Sequence, residues 1–218
     1  MIRIGQHVKY AIDAYTRREF LLAFEQACIA LDMTAKNYYN SHKSTAKNYQ
    51  NLLKEYLWLL ELMSFSGINL EESTFGNFSF VDSHDKQHDN PSMQEILYHI
   101  VRCSLIHGDQ SDQIFRFHQE DSIFLGKDIL MLPYRVLWGL LGVVVFCKAN
   151  KNETTADGYY LSIYNRQYDI NMSWGIEELI HTQYLELIKN SPRVKLNILK
   201  EHFYKTFESE ASIMQKQA

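Results

Sequence analysis

Arg102 and His107 are the residues whose types and spacing most clearly indicate chemistry. They lie at the end of an apolar stretch, residues 98–109, that reads Tyr-His-Ile-Val-Arg-Cys-Ser-Leu-Ile-His-Gly-Asp. A guanidinium carries a permanent charge and a fork of donors that fits a phosphate, and histidine is the side chain best suited to proton transfer near neutral pH. The pair therefore predicts chemistry on a phosphate group.

The spacing of the pair creates a geometric problem. Positions five apart in an α-helix point in directions that differ by roughly 140°, because the helix has about 3.6 residues per turn. One straight helix therefore cannot aim both side chains at one point. We expect a turn at Gly108, or a second copy of the helix, to bring them together.

Three neighbouring residues are candidates for supporting roles. Asp109 can orient the imidazole, as carboxylates often do in acid–base sites, or be a plain helix-end residue. Ser104 can donate a hydrogen bond to phosphate or to its own helix backbone. Cys103 is expected to be a small buried apolar residue rather than a nucleophile, because no second general base is evident. For Arg102 and His107, the alternative is a surface arginine and a histidine stabilised by the helix dipole.

The motif Val-Arg-Cys-Ser-Leu-Ile-His-Gly resembles the Arg-x4-His signature of the HEPN superfamily, helical domains many of which are metal-independent ribonucleases. The upstream long helix, the downstream apolar helix and the Gly after the His match that family's arrangement. The resemblance covers about residues 1–150. It departs from the family at Cys103, where Asn, Asp or His often follows the Arg.

The resemblance implies an activity for the two motif residues. His107 takes the proton from a ribose 2′-OH, which attacks the adjacent phosphorus, and Arg102 stabilises the charge that develops on the phosphate oxygens. The products are a 2′,3′-cyclic phosphate and a 5′-OH, and neither a metal nor another cofactor is expected.

The resemblance also implies partners. We expect RNA as substrate, a homodimer formed through the motif-bearing helix, and a role as toxin or effector of a bacterial defence or stress system, with a protein partner or antitoxin as a further candidate. The alternative is a non-catalytic dimeric interaction or scaffold module. Cys103 with Ser104 is the sequence feature that separates the two.

Two further groups contain residue types that bind metal ions or phosphate. His84 and His88 have the His-x3-His spacing that forms a metal-binding face on a helix. Because the segment 84–89 lacks helix formers and reads as a loop, we expect no metal site there. Arg116 and His118 either extend a phosphate-binding surface or face water on an alternating strand.

Composition limits the function classes. Apolar residues make up 46% of the 218 residues and charged residues 22%, which is typical of a folded globular protein. The net charge of −4 argues against a broad basic surface for nucleic acid, although a local basic cleft stays compatible with it.

Three cysteines without C-x-x-C spacing predict neither a disulfide framework nor a zinc site, which favours the cytoplasm. The N-terminus lacks the apolar core of a secretory signal. The most apolar stretch, residues 129–147, contains Pro133 and Arg135, and its clean part is shorter than the roughly 20 residues that a bilayer requires. We therefore expect no membrane span.

The elements that position the motif are mainly helical. Apolar residues at helical spacing predict a long helix over residues 8–33 and a second over 44–63, capped by Ser44 or Thr45. Residues 67–90 read as a long polar loop. Pro91 then occupies the first turn of a third helix that ends near Gly108.

The second half of the chain alternates between predicted hairpins and helices. Residues 113–118 and 122–125 predict one hairpin, and a fourth helix over 133–150 contains glycines that allow close packing. The remaining predicted elements are a hairpin at 159–163 and 167–172, a helix at 176–190 and a helix at 192–208.

The predicted fold class is mainly α, a HEPN-like helical bundle with one or two short β-hairpin insertions. Residues 1–150 form the bundle. Residues 151–218 supply a C-terminal hairpin and two helices that pack on it within the same domain.

Overall fold

The computed structural model describes residues 3–65, 67–75, 79–82, 85–107, 115–119, 123–125 and 130–196. Over these residues the protein is mainly helical, as predicted, with short strands between the helices. The core is apolar and brings together residues from the N-terminal, central and C-terminal helices of the described chain.

The N-terminal region forms two helices, so the prediction of one helix over 8–33 is wrong. Helix α1 spans Ile4–Thr16 and α2 spans Phe20–Tyr38. Between them Arg18 has a φ of 63°, a left-handed conformation that breaks the helix. The apolar pattern runs across the break because both helices bury a face against the same core.

Helix α3 spans Ala46–Glu55 and α4 spans Leu57–Ser64, interrupted only at Tyr56. The predicted cap is confirmed, because the Thr45 hydroxyl accepts a hydrogen bond of 3.1 Å from the Asn48 backbone N–H.

The predicted loop 67–90 contains an antiparallel hairpin, which is a correction. Strand β1 is Ser79–Val81 and β2 is Gln87–Asp89, and Phe80 pairs with His88. Each strand buries only its middle residue. Strands with a single inward side chain do not produce an alternating sequence pattern, so the hairpin was not predicted.

The third predicted helix is confirmed in position but not in geometry. It consists of α5 at Met93–Glu95, a π-helix at Ile96–Arg102 and α6 at Cys103–His107. We call residues 93–107 the motif helix. Its start is a capping box in which the Ser92 backbone N–H donates to the Glu95 carboxylate at 2.9 Å. Pro91 therefore precedes the cap instead of occupying the first turn.

Strands β3 (Phe115–His118), β4 (Phe124–Leu125) and β5 (Leu130–Pro133) form a sheet in the order β3-β5-β4. The predicted hairpin of the first two strands is wrong, because β5 lies between them, parallel to β3 and antiparallel to β4. Strand β5 lies within the apolar stretch 129–147, which contains no alternation that indicates a separate strand.

Helix α7 spans Val136–Phe146 and is followed by a 3-10 turn at Lys148–Asn150. The close packing predicted at its glycines is confirmed, since a Cβ added to Gly139 would overlap Ser64 Oγ and one added to Gly142 would overlap Met63 Sδ. Within the described part of the chain, no helix is both long and apolar enough to cross a membrane.

The C-terminal hairpin and helix are confirmed as β6 (Tyr160–Ile163), β7 (Arg166–Asp169) and α8 (Glu177–Asn190). The helix predicted from Pro192 is wrong at its start. Residues 192–196 are not helical, and Val194, 61% exposed, forms a β-bridge with Ile68. The rest of that prediction lies outside the described residues.

Gly5 on α1 lies so close to the Thr154 backbone that an added Cβ would overlap its carbonyl oxygen. Gly-to-Ala exchange inside a helix ordinarily stabilises by up to about 1 kcal/mol. Here we expect Gly5→Ala to destabilise by about 1 to 3 kcal/mol, because overpacking against backbone cannot relax by a rotamer change. Urea unfolding measures the difference. Gly142→Ala is the matched control and should cost less, since the end of the Met63 side chain can move. Equal stability of Gly5→Ala and the wild type would contradict this account.

Candidate functional site

Arg102 is the last residue of the π-helical segment, and its guanidinium pairs with Asp32 on α2. Arg102 Nε and Nη2 lie 3.1 and 2.8 Å from Asp32 Oδ2. The two side chains are only 14% and 15% exposed. The interpretation of Arg102 as a surface residue is therefore wrong. Asp32, 70 residues away in sequence, was missed because a single sequence contains no signal for this pairing.

The surroundings of Arg102 fix both its charge and its orientation. Its Cζ lies 5.5 Å from the ring centroid of Tyr98, which in turn contacts Tyr49 edge to face. Burial by itself lowers the pKa of Arg102, but the hydrogen bond and charge of Asp32 raise it, and the net pKa lies above the ordinary value. The guanidinium is thus a fixed, permanent cation at the start of α6.

The structure describes the backbone of His107 as the last residue of α6. Its side chain, together with Gly108 and Asp109, lies outside the described residues. Because residues 103–107 are α-helical, backbone positions 102 and 107 lie about 140° apart around the helix axis. Convergence of the two side chains on one phosphate still requires the turn or a second subunit.

An open groove of about 970 Å³ lies beside the motif helix. Ser104, one of the predicted supporting residues, lines it together with the exposed residues Arg18 and Arg116. One wall is aromatic, with the Phe20 and Tyr134 rings stacked at 4.1 Å. Glu19 and Glu25 also line the groove, so its charge is mixed.

Arg116 and His118 separate in the structure. Arg116 is exposed on β3 and lines the groove. His118 Nε2 is buried and has no hydrogen-bond partner among the described residues. Arg116 therefore fits the phosphate-surface interpretation, whereas His118 points into the protein.

The three cysteines are free thiols. Burial raises the pKa of Cys28 to about 12 and also raises the pKa of Cys147, so neither is a thiolate at neutral pH. Cys103 is partly buried on α6. The interpretation of Cys103 as a packing residue rather than a nucleophile stays a prediction.

A second cluster of functional side chains joins the β1–β2 hairpin to the motif helix. Asp82 follows β1, His88 lies on β2 and His99 lies in the π-helical segment. One ligand-type atom from each lies within 4.8 Å of the other two. Sequence reasoning considered His88 with His84, which lies outside the described residues, and missed both actual neighbours because they meet only through the hairpin.

The distances inside this cluster are short. His88 Nε2 lies 3.0 Å from Asp82 Oδ2, and both side chains are 7% exposed. His88 Nδ1 lies 3.4 Å from Glu95 Oε1, and the His88 and His99 ring centroids are 4.7 Å apart. Burial lowers the pKa of His99, and the neighbouring His88 lowers it further. We call Asp82, His88 and His99 the hairpin cluster.

The protein is mainly helical, and its partly π-helical motif helix contributes residues to both candidate sites. The chain belongs to the Rv1289 family, whose model matches residues 3–201. It is 26% identical over 182 residues to the uncharacterised proteins Rv1289 of Mycobacterium tuberculosis and Mb1320 of Mycobacterium bovis, covering 81% of this chain and 85% of each relative. No solved structure matches the chain.

Proposed function

We propose that the chain is a HEPN-like, metal-independent endoribonuclease that acts in the cytoplasm as a toxin or effector of a defence or stress system. The observation that supports it most is the fixed guanidinium of Arg102, held by two hydrogen bonds to Asp32 at the start of α6. A group that stabilises developing charge is most effective when its orientation is set before the reaction. Asp32 is then the positioning residue for Arg102.

The reaction is a transesterification followed by release of one RNA fragment. His107 removes the proton of a ribose 2′-OH, the 2′-oxygen bonds to the adjacent phosphorus, and the bond from phosphorus to O5′ breaks. Water donates a proton to O5′ to complete the 5′-OH product, His107 returns its proton to the solvent, and the other fragment retains a 2′,3′-cyclic phosphate. Arg102 offsets the negative charge that builds up on the non-bridging oxygens.

The groove beside the motif helix supports RNA as the substrate class. Arg18 and Arg116 line it and offer charge to backbone phosphates, although the net charge of the chain is negative. Its aromatic wall contains ring faces of the kind on which bases stack. An antitoxin or other protein partner is a further candidate for the same surface.

Incubation of the purified full chain with total RNA in EDTA tests the activity. We expect cleavage that persists in the chelator and leaves 2′,3′-cyclic phosphate and 5′-OH ends. Absence of cleavage across varied RNAs would eliminate the nuclease proposal.

The second candidate is a non-catalytic dimeric scaffold or sensor. The observation that favours it is that two guanidinium nitrogens of Arg102 are already engaged by a carboxylate, which is a structural use of the side chain. Cys103 after the Arg also departs from the catalytic pattern of the family it resembles. Dimerisation without cleavage is the result that this candidate requires.

Both candidates predict a homodimer whose interface includes the motif helix and places the two His107 residues across one groove. Leu21 and Leu22 on α2 lie beside that helix on the same groove and are 63% and 40% exposed. We therefore expect light scattering to give twice the chain mass at micromolar concentration, and Leu21→Glu to shift the protein towards the monomer.

Leu179→Glu is the matched control for the dimer. Leu179 is 54% exposed on α8, a helix that packs against α4. The Leu179→Glu variant should leave the dimer unchanged. A wild-type monomer at micromolar concentration would contradict the dimer and, with it, most of the catalytic proposal.

A further inference from the structure

We propose that the hairpin cluster of Asp82, His88 and His99 is a binding site for a divalent transition-metal ion, with Zn²⁺ as the preferred occupant. The proposal goes beyond the nuclease and does not depend on it. A bound ion would link the β1–β2 hairpin to the motif helix, because His88 lies on the hairpin and His99 lies on that helix.

The donor set fits this class of ion. Two imidazoles and one carboxylate form the N/O set found in zinc sites with three protein ligands and one position for water or a substrate. With zinc–ligand distances of about 2.0 to 2.2 Å, ligand atoms of a tetrahedral site lie about 3.3 Å apart. Asp82 Oδ2 and His88 Nε2 are 3.0 Å apart, and all three ligand atoms lie within 4.8 Å. A tetrahedral complex requires the His99 ligand atom to approach the other two to about 3.3 Å.

The groups behind the ligands match those of metal sites. A metal-bound imidazole usually donates its other N–H to a carboxylate or amide, which fixes the ring and its tautomer. His88 Nδ1 faces Glu95 Oε1 at 3.4 Å. His99 Nε2 lies 3.0 Å from the side-chain amide of Gln50, whose oxygen and nitrogen are interchangeable by a flip. In the proposed site His88 Nε2 binds the ion, and the hydrogen bond of His99 Nε2 to Gln50 leaves Nδ1 of His99 as its ligand atom.

Burial and packing favour a bound cation over a simple ion pair. A protonated His88 between Asp82 and Glu95 would explain those two carboxylates. It would not explain the second imidazole, His99, whose ring centroid lies 4.7 Å from that of His88. The Phe80 ring stacks on His88 at 4.8 Å and shields this side from water. A metal ion uses all three side chains at once.

Titration of the chelator-treated full chain with ZnCl₂ tests the site. We expect calorimetry to show one strong site per chain and, at free Zn²⁺ about 100-fold above the dissociation constant, a rise in melting temperature of about 5 to 10 °C. Co²⁺ should bind with the visible absorption of a tetrahedral complex. RNA cleavage, if present, should persist in EDTA below the lowered melting temperature, so the two proposals fail separately.

Variants identify the ligands. His88→Ala and His99→Ala should each abolish the strong site, with folding checked by circular dichroism, and Asp82→Asn provides a second ligand variant should either one unfold. His181→Ala on α8 is the matched control and should retain it.

Glu95→Gln separates metal binding from folding. A glutamine oxygen still accepts from the Ser92 backbone and retains the capping box. Its NH₂ group then faces His88 Nδ1 and cannot accept the N–H that a metal-bound ring must donate there. We expect the zinc affinity to fall about 10- to 100-fold while the helix content is unchanged.

Absence of zinc binding by the folded wild type would overturn the proposal. Binding that both histidine variants retain would overturn it as well, because the ion would then be held elsewhere.

Discussion

His107→Ala should lower the rate of RNA cleavage by about 10²- to 10⁴-fold, the usual contribution of a positioned acid–base group. Arg102→Ala should lower it by about 10²- to 10³-fold, as for the loss of one preorganised donor to developing charge. EDTA should leave the wild-type rate intact, because no step requires a metal. A gel assay of RNA cleavage under single-turnover conditions measures both losses.

The ion pair at Arg102 changes how this experiment must be designed. A surface arginine at a helix end would cost within roughly 0.5 kcal/mol on removal. Arg102→Ala instead leaves the Asp32 carboxylate, 15% exposed, without its partner, so we expect a larger loss of stability. The double variant Arg102→Ala/Asp32→Asn removes the isolated charge and should regain stability but not cleavage. A structural role for Arg102 predicts that activity returns with stability.

Matched controls separate the motif from its neighbourhood. Arg166→Ala on β7 and His181→Ala on α8 remove the same side-chain types far from the motif helix in sequence and should retain full activity. Cys103→Ala should have a much smaller effect than either motif variant. Full cleavage by the Arg102→Ala/His107→Ala double variant would show that the resemblance to the HEPN motif has no catalytic meaning here.

The parts of the fold that the sequence predicted are those determined by local pattern. Helix α8 and the β6–β7 hairpin follow from periodicity and turn residues alone. The Thr45 cap follows from a hydroxyl that precedes an apolar period. The glycines of α7 predicted close packing because interior glycine in a helix usually has a packing reason. In each case the signal itself is local, although the α7 glycines pack against Ser64 and Met63 on α4.

The parts that could not be predicted either lack a residue signature or depend on partners distant in sequence. Arg18 breaks a helix without any glycine or proline, and the π-helical turn has no known residue signature in one chain. The same applies to the candidate sites. Asp32 reaches Arg102 from α2, and the hairpin cluster forms only after β1 pairs with β2. The Arg-x4-His motif indicated Arg102 of the Arg102–Asp32 pair and no member of the hairpin cluster.

Arg193→Ala should destabilise the protein by about 3 kcal/mol at pH 8, towards the lower end for a broken buried ion pair because Arg193 is 26% exposed. Arg193 Nη1 lies 3.0 and 3.1 Å from the two oxygens of Glu61, a residue on α4 that is 3% exposed. Among the described residues, the donors that would face this buried carboxylate without Arg193 are uncharged, such as the Tyr184 hydroxyl 3.3 Å away. Urea unfolding at several pH values measures the loss.

The loss of stability in Arg193→Ala should shrink as the pH falls, and the direction follows from the pKa of Glu61. Burial raises that pKa and Arg193 lowers it, with a net value above the ordinary one. A carboxyl group whose pKa is higher in the folded state than in the unfolded state contributes stability at pH values below its unfolded-state pKa. This contribution is lost as the pH rises through the folded-state pKa. Removing Arg193 raises the folded pKa further, so the variant loses more than the wild type between pH 5 and 8. Glu61 protonates at lower pH, and the difference closes.

Two comparisons make this result specific to the buried pair. Lys195→Ala breaks a neighbouring but exposed ion pair with Glu72, at 3.6 Å, and should change stability by less than about 0.5 kcal/mol at any pH. Glu61→Gln combined with Arg193→Ala removes the isolated charge and should abolish the pH dependence of the difference. A loss of stability in Arg193→Ala that is equal at pH 5 and pH 8 would mean that packing of the Arg193 side chain, rather than the charge of Glu61, stabilises this part of the core.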